Sequence, residues 1–194
     1  TLTVNGTLRI DQGGYPTGTG TIAYGANGTL AFNNSSGSYG VNNDKYWPTS
    51  AGPVNVSVLG AGGITLNVAR TVAGTTTIAS GSTFLANGVT YTANGAVQVN
   101  GTFQLGQGAW ATGSGTWTYG SAGTLAFGNA TGSYGVNTDV FWPSSNGPVN
   151  VNVAGAGGIT MNVARTVSGL FQTSAIVVGA NNLTINGTMQ LNAG

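Results

Sequence analysis

The sequence predicts an all-β fold: a parallel β-helix, or β-solenoid, made of two long repeats and a partial third. The first observation is a repeat at one fixed offset, because the block Gly37–Asn42 returns as Gly132–Asn137, and 132 − 37 = 95. A fixed period indicates modules whose apolar faces are buried by stacking on their neighbours. The second observation is strict alternation, in which valines are separated by polar residues over 54–58. That period of two is typical of strands with one buried face.

The opening strand segment marks where each repeat begins. Residues 2–10 return in the middle of the chain at 98–105 and near its end at 183–191. The step from Gly101 to Gly187 is 187 − 101 = 86 residues, so the second repeat is about nine residues shorter than the first, the length of one strand with its corner. We therefore assign three segments of one β-solenoid domain spanning 1–194: repeat one at about 3–97, repeat two at about 98–182 and a partial third repeat at 183–194.

Short strands follow the opening segment at a spacing of roughly 8–10 residues, separated by Gly-rich turns. Their alternation predicts the core positions Leu30, Phe32, Val54, Val56, Ile64, Leu66, Leu125, Phe127, Val149, Val151, Ile159 and Met161. The Asn-Gly pairs between strands, such as Asn100-Gly101, leave two folds open. They indicate two-residue hairpins, which would build an antiparallel β-sandwich, or they serve as the corners of a β-helix. The long repeat favours the β-helix.

Each repeat carries one long insertion, at 33–53 and at 128–148, that contains a Trp-Pro pair and ends in Gly-Pro-Val-Asn-Val. Such loops inside a compact repeat are usually packed flaps or binding elements. The aromatic flap residues are Tyr39, Tyr46, Trp47, Tyr134, Phe141 and Trp142. Two interpretations stay open: the rings pack over the flank of the solenoid, as large aromatic side chains usually do, or they form a sugar-stacking platform repeated along the axis.

The few charged residues predict one structural clamp in each repeat. Asp44 and Arg70 are 26 residues apart, as are Asp139 and Arg165. Arg70 continues the inward alternation of the strand before it, and a desolvated Arg needs a carboxylate or several carbonyl groups. We therefore predict that each Asp–Arg pair ties the flap to the solenoid. Capping of carbonyl groups by the Arg alone, or a ligand site, are the alternatives.

Composition argues against several classes of function. Only 4% of residues are charged, the net charge is +1, and the chain has no His, Glu or Cys. Acid–base catalysis needs a His or paired carboxylates, and metal sites need clusters of such ligands, so we predict no enzyme activity, cofactor or metal. Nucleic-acid binding needs a basic surface, which this charge does not supply. No apolar run reaches the roughly 18 residues of a membrane helix, so no membrane span is predicted.

The segments 99–108, 113–127 and 147–151 resemble the long repeats of large secreted surface proteins of Bacteroidota-type bacteria. Those proteins are adhesin-like and exported, and they are rich in solenoid stalks. The resemblance implies an extracellular or cell-surface location and a structural role. It supplies no catalytic residue.

We therefore expect a non-catalytic extracellular structural protein, a β-solenoid rod that forms a surface stalk or a head-to-tail self-assembling filament. The expected partners are the chain itself, end to end, or the flanking repeats of a longer chain, because an open solenoid end exposes unpaired strand edges. The alternative is a glycan-binding module of a bacterial surface adhesin, in which case surface glycans are the partner.

Overall fold

A computed structural model describes residues 1–42, 45–137, 140–175 and 177–192. Over these residues the chain is a β-solenoid of about nine turns, with 24 strands and no helix. No helix of the described residues is therefore long and apolar enough to cross a membrane. The predicted all-β solenoid is confirmed.

The strands are short, and each is separated from the next by a corner or a loop. Their bounds are β1 (Leu2–Val4), β2 (Thr7–Asp11), β3 (Ile22–Tyr24), β4 (Thr29–Asn33), β5 (Tyr39–Val41), β6 (Asn55–Val58), β7 (Ile64–Leu66), β8 (Arg70–Val72), β9 (Thr76–Ile78), β10 (Thr83–Ala86), β11 (Thr90–Ala93), β12 (Val97–Val99), β13 (Thr102–Gly106), β14 (Trp110–Thr112), β15 (Trp117–Tyr119), β16 (Thr124–Gly128), β17 (Tyr134–Val136), β18 (Asn150–Val153), β19 (Ile159–Met161), β20 (Arg165–Val167), β21 (Leu170–Thr173), β22 (Val177–Gly179), β23 (Leu183–Ile185) and β24 (Thr188–Leu191).

The solenoid has three faces, which the chain visits in the order A, B, C. Face A holds β1–β3, β8–β11–β14 and β17–β19–β22. Face B holds the six-stranded sheet β2–β4–β6–β9–β12–β15, followed further along the axis by β20–β23. Face C is the unbroken eight-stranded sheet from β5 to β24. Each strand pairs in parallel with the strand one coil away, as β10 does with β13, so the antiparallel hairpin alternative is wrong.

The core is built by inward side chains that stack in register from coil to coil. On face C, Phe84 lies opposite Phe103, which in turn lies opposite Leu125, and all three are fully buried. Burying each such side chain contributes about 1.5–3 kcal/mol of transfer free energy. Of the predicted core positions, ten are buried, whereas Val54 and Val149 are half-buried, because each lies at the corner before its strand.

The Asn-Gly pairs form corners of the coil instead of hairpins. At Gly101 a side chain carbon would collide with the carbonyl oxygens of Ala79 and Ser82, which belong to the coil below. The corner is therefore closed to any residue with a Cβ. The backbone amide of the next residue, Thr102, donates to the carbonyl of Ser82 at 2.8 Å and continues the ladder between coils.

The repeat of 95 residues is out of phase with the three faces. Strands β2, β4, β6 and β9 lie on face B, whereas their counterparts 95 residues later, β13, β16, β18 and β21, lie on face C. One repeat therefore advances by four coils and one further side. The shorter step of 86 residues from β13 to β24 stays on face C, because only two strands separate β21 from β24 where three separate β9 from β13.

Each long insertion is only partly irregular. The predicted loops at 33–53 and 128–148 include the strands β5 and β17, so the expectation of one continuous loop is wrong. We use the name flap 1 for residues 45–53 and flap 2 for residues 140–148. Flap 1 takes the place of a strand on face A, between β3 and β8. Flap 2 takes the place of a strand on face B, between β15 and β20.

Candidate functional site

Repeat one (about 3–97) and repeat two (about 98–182) are called unit 1 and unit 2 below, and each contains a cluster of aromatic rings between the solenoid and its flap. In unit 1 the Phe32 ring lies 6.3 Å from that of Trp47, and in unit 2 the Phe127 ring lies 6.2 Å from that of Trp142. The clusters consist of Tyr15, Phe32, Tyr39, Tyr46 and Trp47 in unit 1, and of Trp110, Phe127, Tyr134, Phe141 and Trp142 in unit 2.

Most of the predicted aromatic flap residues are inaccessible. Tyr46, Trp47, Phe141 and Trp142 are fully buried, Tyr134 is buried and Tyr39 is half-buried. Their rings contact one another at tilted and edge-to-face angles, which suits a packed aromatic core. A glycan has no access to the four fully buried rings, so this arrangement supports the packed interpretation over the sugar-stacking platform.

A buried tyrosine ties each flap to the coil before it. The hydroxyl of Tyr24 donates to the carbonyl of Tyr46 at 2.7 Å, and the hydroxyl of Tyr119 donates to the carbonyl of Phe141 at 2.5 Å. Burial raises the pKa of Tyr24 and of Tyr119 above the usual tyrosine range. Both hydroxyl groups therefore stay protonated, and remain donors, throughout the physiological pH range.

The arginines of the predicted clamp are buried at equivalent places. Arg70 begins β8 and is 4% exposed, and Arg165 begins β20 and is 7% exposed. Each Nη1 donates to the carbonyl of the preceding residue, Ala69 at 2.8 Å or Ala164 at 2.7 Å. In each repeat, one N–H group of the guanidinium therefore has a carbonyl group as its acceptor, which is carbonyl capping.

The two predicted carboxylate partners, Asp44 and Asp139, lie outside the described residues. The Asp–Arg clamp therefore stays a prediction. Within the described residues, the salt bridge that the structure shows joins Arg9 Nε to Asp11 Oδ1 at 3.0 Å. Hydrogen bonds from Asn33 and from Arg9 lower the pKa of Asp11, and both partners of this pair are well exposed.

Sequence reasoning missed the outermost ring of each cluster. Tyr15 stacks on Tyr39 with centroids 6.0 Å apart, and Trp110 stacks on Tyr134 with centroids 5.2 Å apart. Tyr15 is 51% exposed and Trp110 is half-buried. The sequence did contain a signal for these rings, because Tyr15 and Trp110 are 110 − 15 = 95 residues apart and each comes shortly after a Gln-Gly pair. Both rings lie outside the long insertions, in which the aromatic flap residues were identified.

Beside Trp110 the surface forms a groove of about 330 Å³. We use the name Trp110 groove for it. One wall comes from the corner before β14 and the other from the corner before β17. Its chemistry-bearing lining residues are Gln107, Trp110, Asn129, Thr131, Ser133 and Tyr134.

Of the residues that the structure describes, none that lines the Trp110 groove is charged. Within 1–42, 45–137, 140–175 and 177–192, no three His, Cys, Asp or Glu residues come together as they would around a metal ion. The polar groups available at this surface are therefore amides, hydroxyls and the indole N–H, which bind by neutral hydrogen bonds.

Comparison with protein-family models, with curated proteins and with solved structures finds no match to this chain.

Proposed function

We propose that this chain is a non-catalytic structural segment of an extracellular or cell-surface fibre, a β-solenoid rod that extends by stacking end to end. The single observation that carries the proposal is that the first and last coils bear apolar side chains which a further coil, of a second copy or of the same polypeptide, would cover. At a strand spacing of about 4.8 Å, nine coils give a rod of roughly 40 Å. The extracellular location rests on the resemblance of segments 99–108, 113–127 and 147–151 to secreted surface proteins.

The far end coil consists of β22, β23 and β24. Met189 lies in register with the buried Phe171 of the coil before it, yet it is 54% exposed because it has a neighbour on one side only. Leu191 on the same strand is 73% exposed. These edges contain no Lys or Pro, the residues that commonly block the addition of a strand.

The near end coil also presents apolar side chains, and its charged residues are the exposed Arg9–Asp11 pair on β2. Leu2 lies in register with the buried Ile22 and is 56% exposed. The far coil finishes on face C, and β1 lies on face A, the face that follows in the order of the solenoid. A second copy would therefore pair its β1 with β22 and its β2 with β23, and on face C its segment 12–21, which forms no strand, would lie over β24.

Such a contact joins two different surfaces, and a heterologous contact that does not close produces filaments instead of rings. Because the chain has only 4% charged residues, we expect assembly to depend weakly on salt. In a surface stalk, further coils of the same polypeptide would cover these edges in the same way.

The test places a charge at the inward position of the far edge. We expect the chain to form concentration-dependent linear assemblies in sedimentation velocity and negative-stain microscopy. Ile185→Asp should shift them to monomer, because Ile185 lies on β23 in register with the buried Val167 and the introduced carboxylate would be buried under β2 of the next copy. Thr184→Asp is the matched control, since this exposed neighbour on β23 points outward and the variant should still assemble. Wild-type protein that stays monomeric at high concentration contradicts the filament and leaves the stalk as the proposed form.

A further inference from the structure

The Trp110 groove has the composition of a carbohydrate site. Ligand sites usually combine aromatic walls with a few placed polar groups, in volumes of about 300–1,000 Å³. The indole of Trp110 supplies the aromatic wall, and its stacking on Tyr134 at an interplanar angle of 12° holds the ring in one orientation. The groove, at about 330 Å³, has room for a short stretch of a glycan, about one or two sugar rings.

Two hydrogen-bond donors at the groove have no protein acceptor. The Oε1 atom of Gln107 accepts from the backbone amide of Thr131 at 3.0 Å, which fixes the side-chain amide. Its Nε2 group, and the indole N–H of Trp110, make no hydrogen bond with the described residues. Sugar hydroxyl and ring oxygens are acceptors suited to both donors.

The groove also selects against charge. Among the described residues its lining has no Lys, Arg, Asp or Glu, so these residues offer no ion-pair partner to a uronic acid, a sulfated sugar or an amino sugar. An ionised ligand would lose hydration without gaining a counter-charge. A neutral glycan has no such penalty.

We infer that the Trp110 groove binds a neutral glycan, with one sugar ring against the indole of Trp110 and its hydroxyl groups bonded to Gln107 and the indole N–H. This activity is separate from end-to-end stacking, because the groove lies on the surface at β14 and β17, several coils away from the first coil and two coils before the last. The site belongs to unit 2. At the equivalent place in unit 1, Tyr15 is followed by Pro16, and no strand corresponding to β14 forms.

The experiment titrates the chain with neutral hexasaccharides, namely cellohexaose, xylohexaose and mannohexaose, and follows binding by calorimetry. We expect at least one of them to bind, and Trp110→Ala to weaken that binding by about tenfold, since a lost aromatic contact and a lost donor are together worth a factor of that order. Tyr15→Ala is the matched control in unit 1 and should leave binding unchanged.

A second variant keeps the experiment decisive if Trp110→Ala disturbs the fold. Thr131→Arg places a long side chain on the exposed rim of the groove and leaves the aromatic stack intact, and it should also abolish binding. The inference is overturned if none of the three hexasaccharides binds at millimolar concentration, or if binding survives both variants. Equal or tighter binding of hexagalacturonate, an anionic probe, would also overturn it.

Discussion

The two units have closely similar sequences but lie on different faces of the solenoid. Flap 1 covers face A and flap 2 covers face B, yet the contacts below each flap are the same. Tyr24 bonds the carbonyl of Tyr46 and Tyr119 bonds that of Phe141, in both cases 22 residues along the chain. Contacts in this fold therefore join a residue to the neighbouring coil, at a fixed separation in sequence, and do not depend on which face carries them.

The units differ at the outermost ring of the aromatic cluster. Trp110 belongs to β14, which pairs with β11, so that Trp110 lies opposite Thr90. Tyr15 is in no strand and is 51% exposed. One sequence position thus produces a groove wall in unit 2 and an exposed ring in unit 1, and the next residue differs as well, since Ala111 follows Trp110 and Pro16 follows Tyr15.

The largest expected effect tests whether the two flaps are equivalent. Trp47→Ala and Trp142→Ala should each lower the free energy of unfolding by about 3–5 kcal/mol, because each removes a large, fully buried ring. Urea unfolding followed by circular dichroism measures this. Leu59→Ala is the control, since Leu59 is 43% exposed and should change stability by about 0.5 kcal/mol or less.

If the two flaps are equivalent, each should also stabilise the solenoid independently of the other. Four coils separate the two tryptophans, so the double variant should show the sum of the two single effects. A large cost at Trp142 with none at Trp47 would show that flap 1 contributes little to stability, and the comparison of the units would fail.

A smaller effect distinguishes the units at one hydroxyl group. The Tyr46 hydroxyl donates to the carbonyl of Gly40 at 2.6 Å, and Phe141 occupies the equivalent place without a hydroxyl. Tyr46→Phe should lower the free energy of unfolding by about 1 kcal/mol, the usual net value of such a bond. The reciprocal Phe141→Tyr should keep or raise stability by bonding Gly135, and a loss of more than about 1 kcal/mol would show that unit 2 packs more tightly there.

The smallest effect concerns the backbone of the flaps. Ala51 and Asn146 are equivalent, and both have positive φ, 52° and 56°. Asn tolerates this left-handed conformation better than Ala does. Ala51→Asn should therefore raise the free energy of unfolding by about 0.5–1 kcal/mol, and Asn146→Ala should lower it by a similar amount. Thermal melting of both variants measures the change. Opposite signs would mean that side-chain contacts outweigh backbone strain at this position.

Much of the fold could be predicted from the sequence, because its signals are local and periodic. Alternation with a period of two assigned the inward residues, such as Phe32 and Ile64, since successive side chains of a strand point to opposite sides. The shortening of the second repeat by about nine residues, 95 − 86, indicated a missing strand and corner, and the structure has two strands where the first unit has three.

Only the tertiary structure decided the phase of the repeat and the composition of the Trp110 groove. A repeat of 95 residues does not reveal how many corners it contains, because sides and loops differ in length, so the advance of four coils and one side could not be read from the sequence. The same is true of the choice between corner and hairpin at Asn100-Gly101, which depends on how closely the coil below approaches. The sequence by itself determined which residues face inward, and the stacking of coils decided which of them meet.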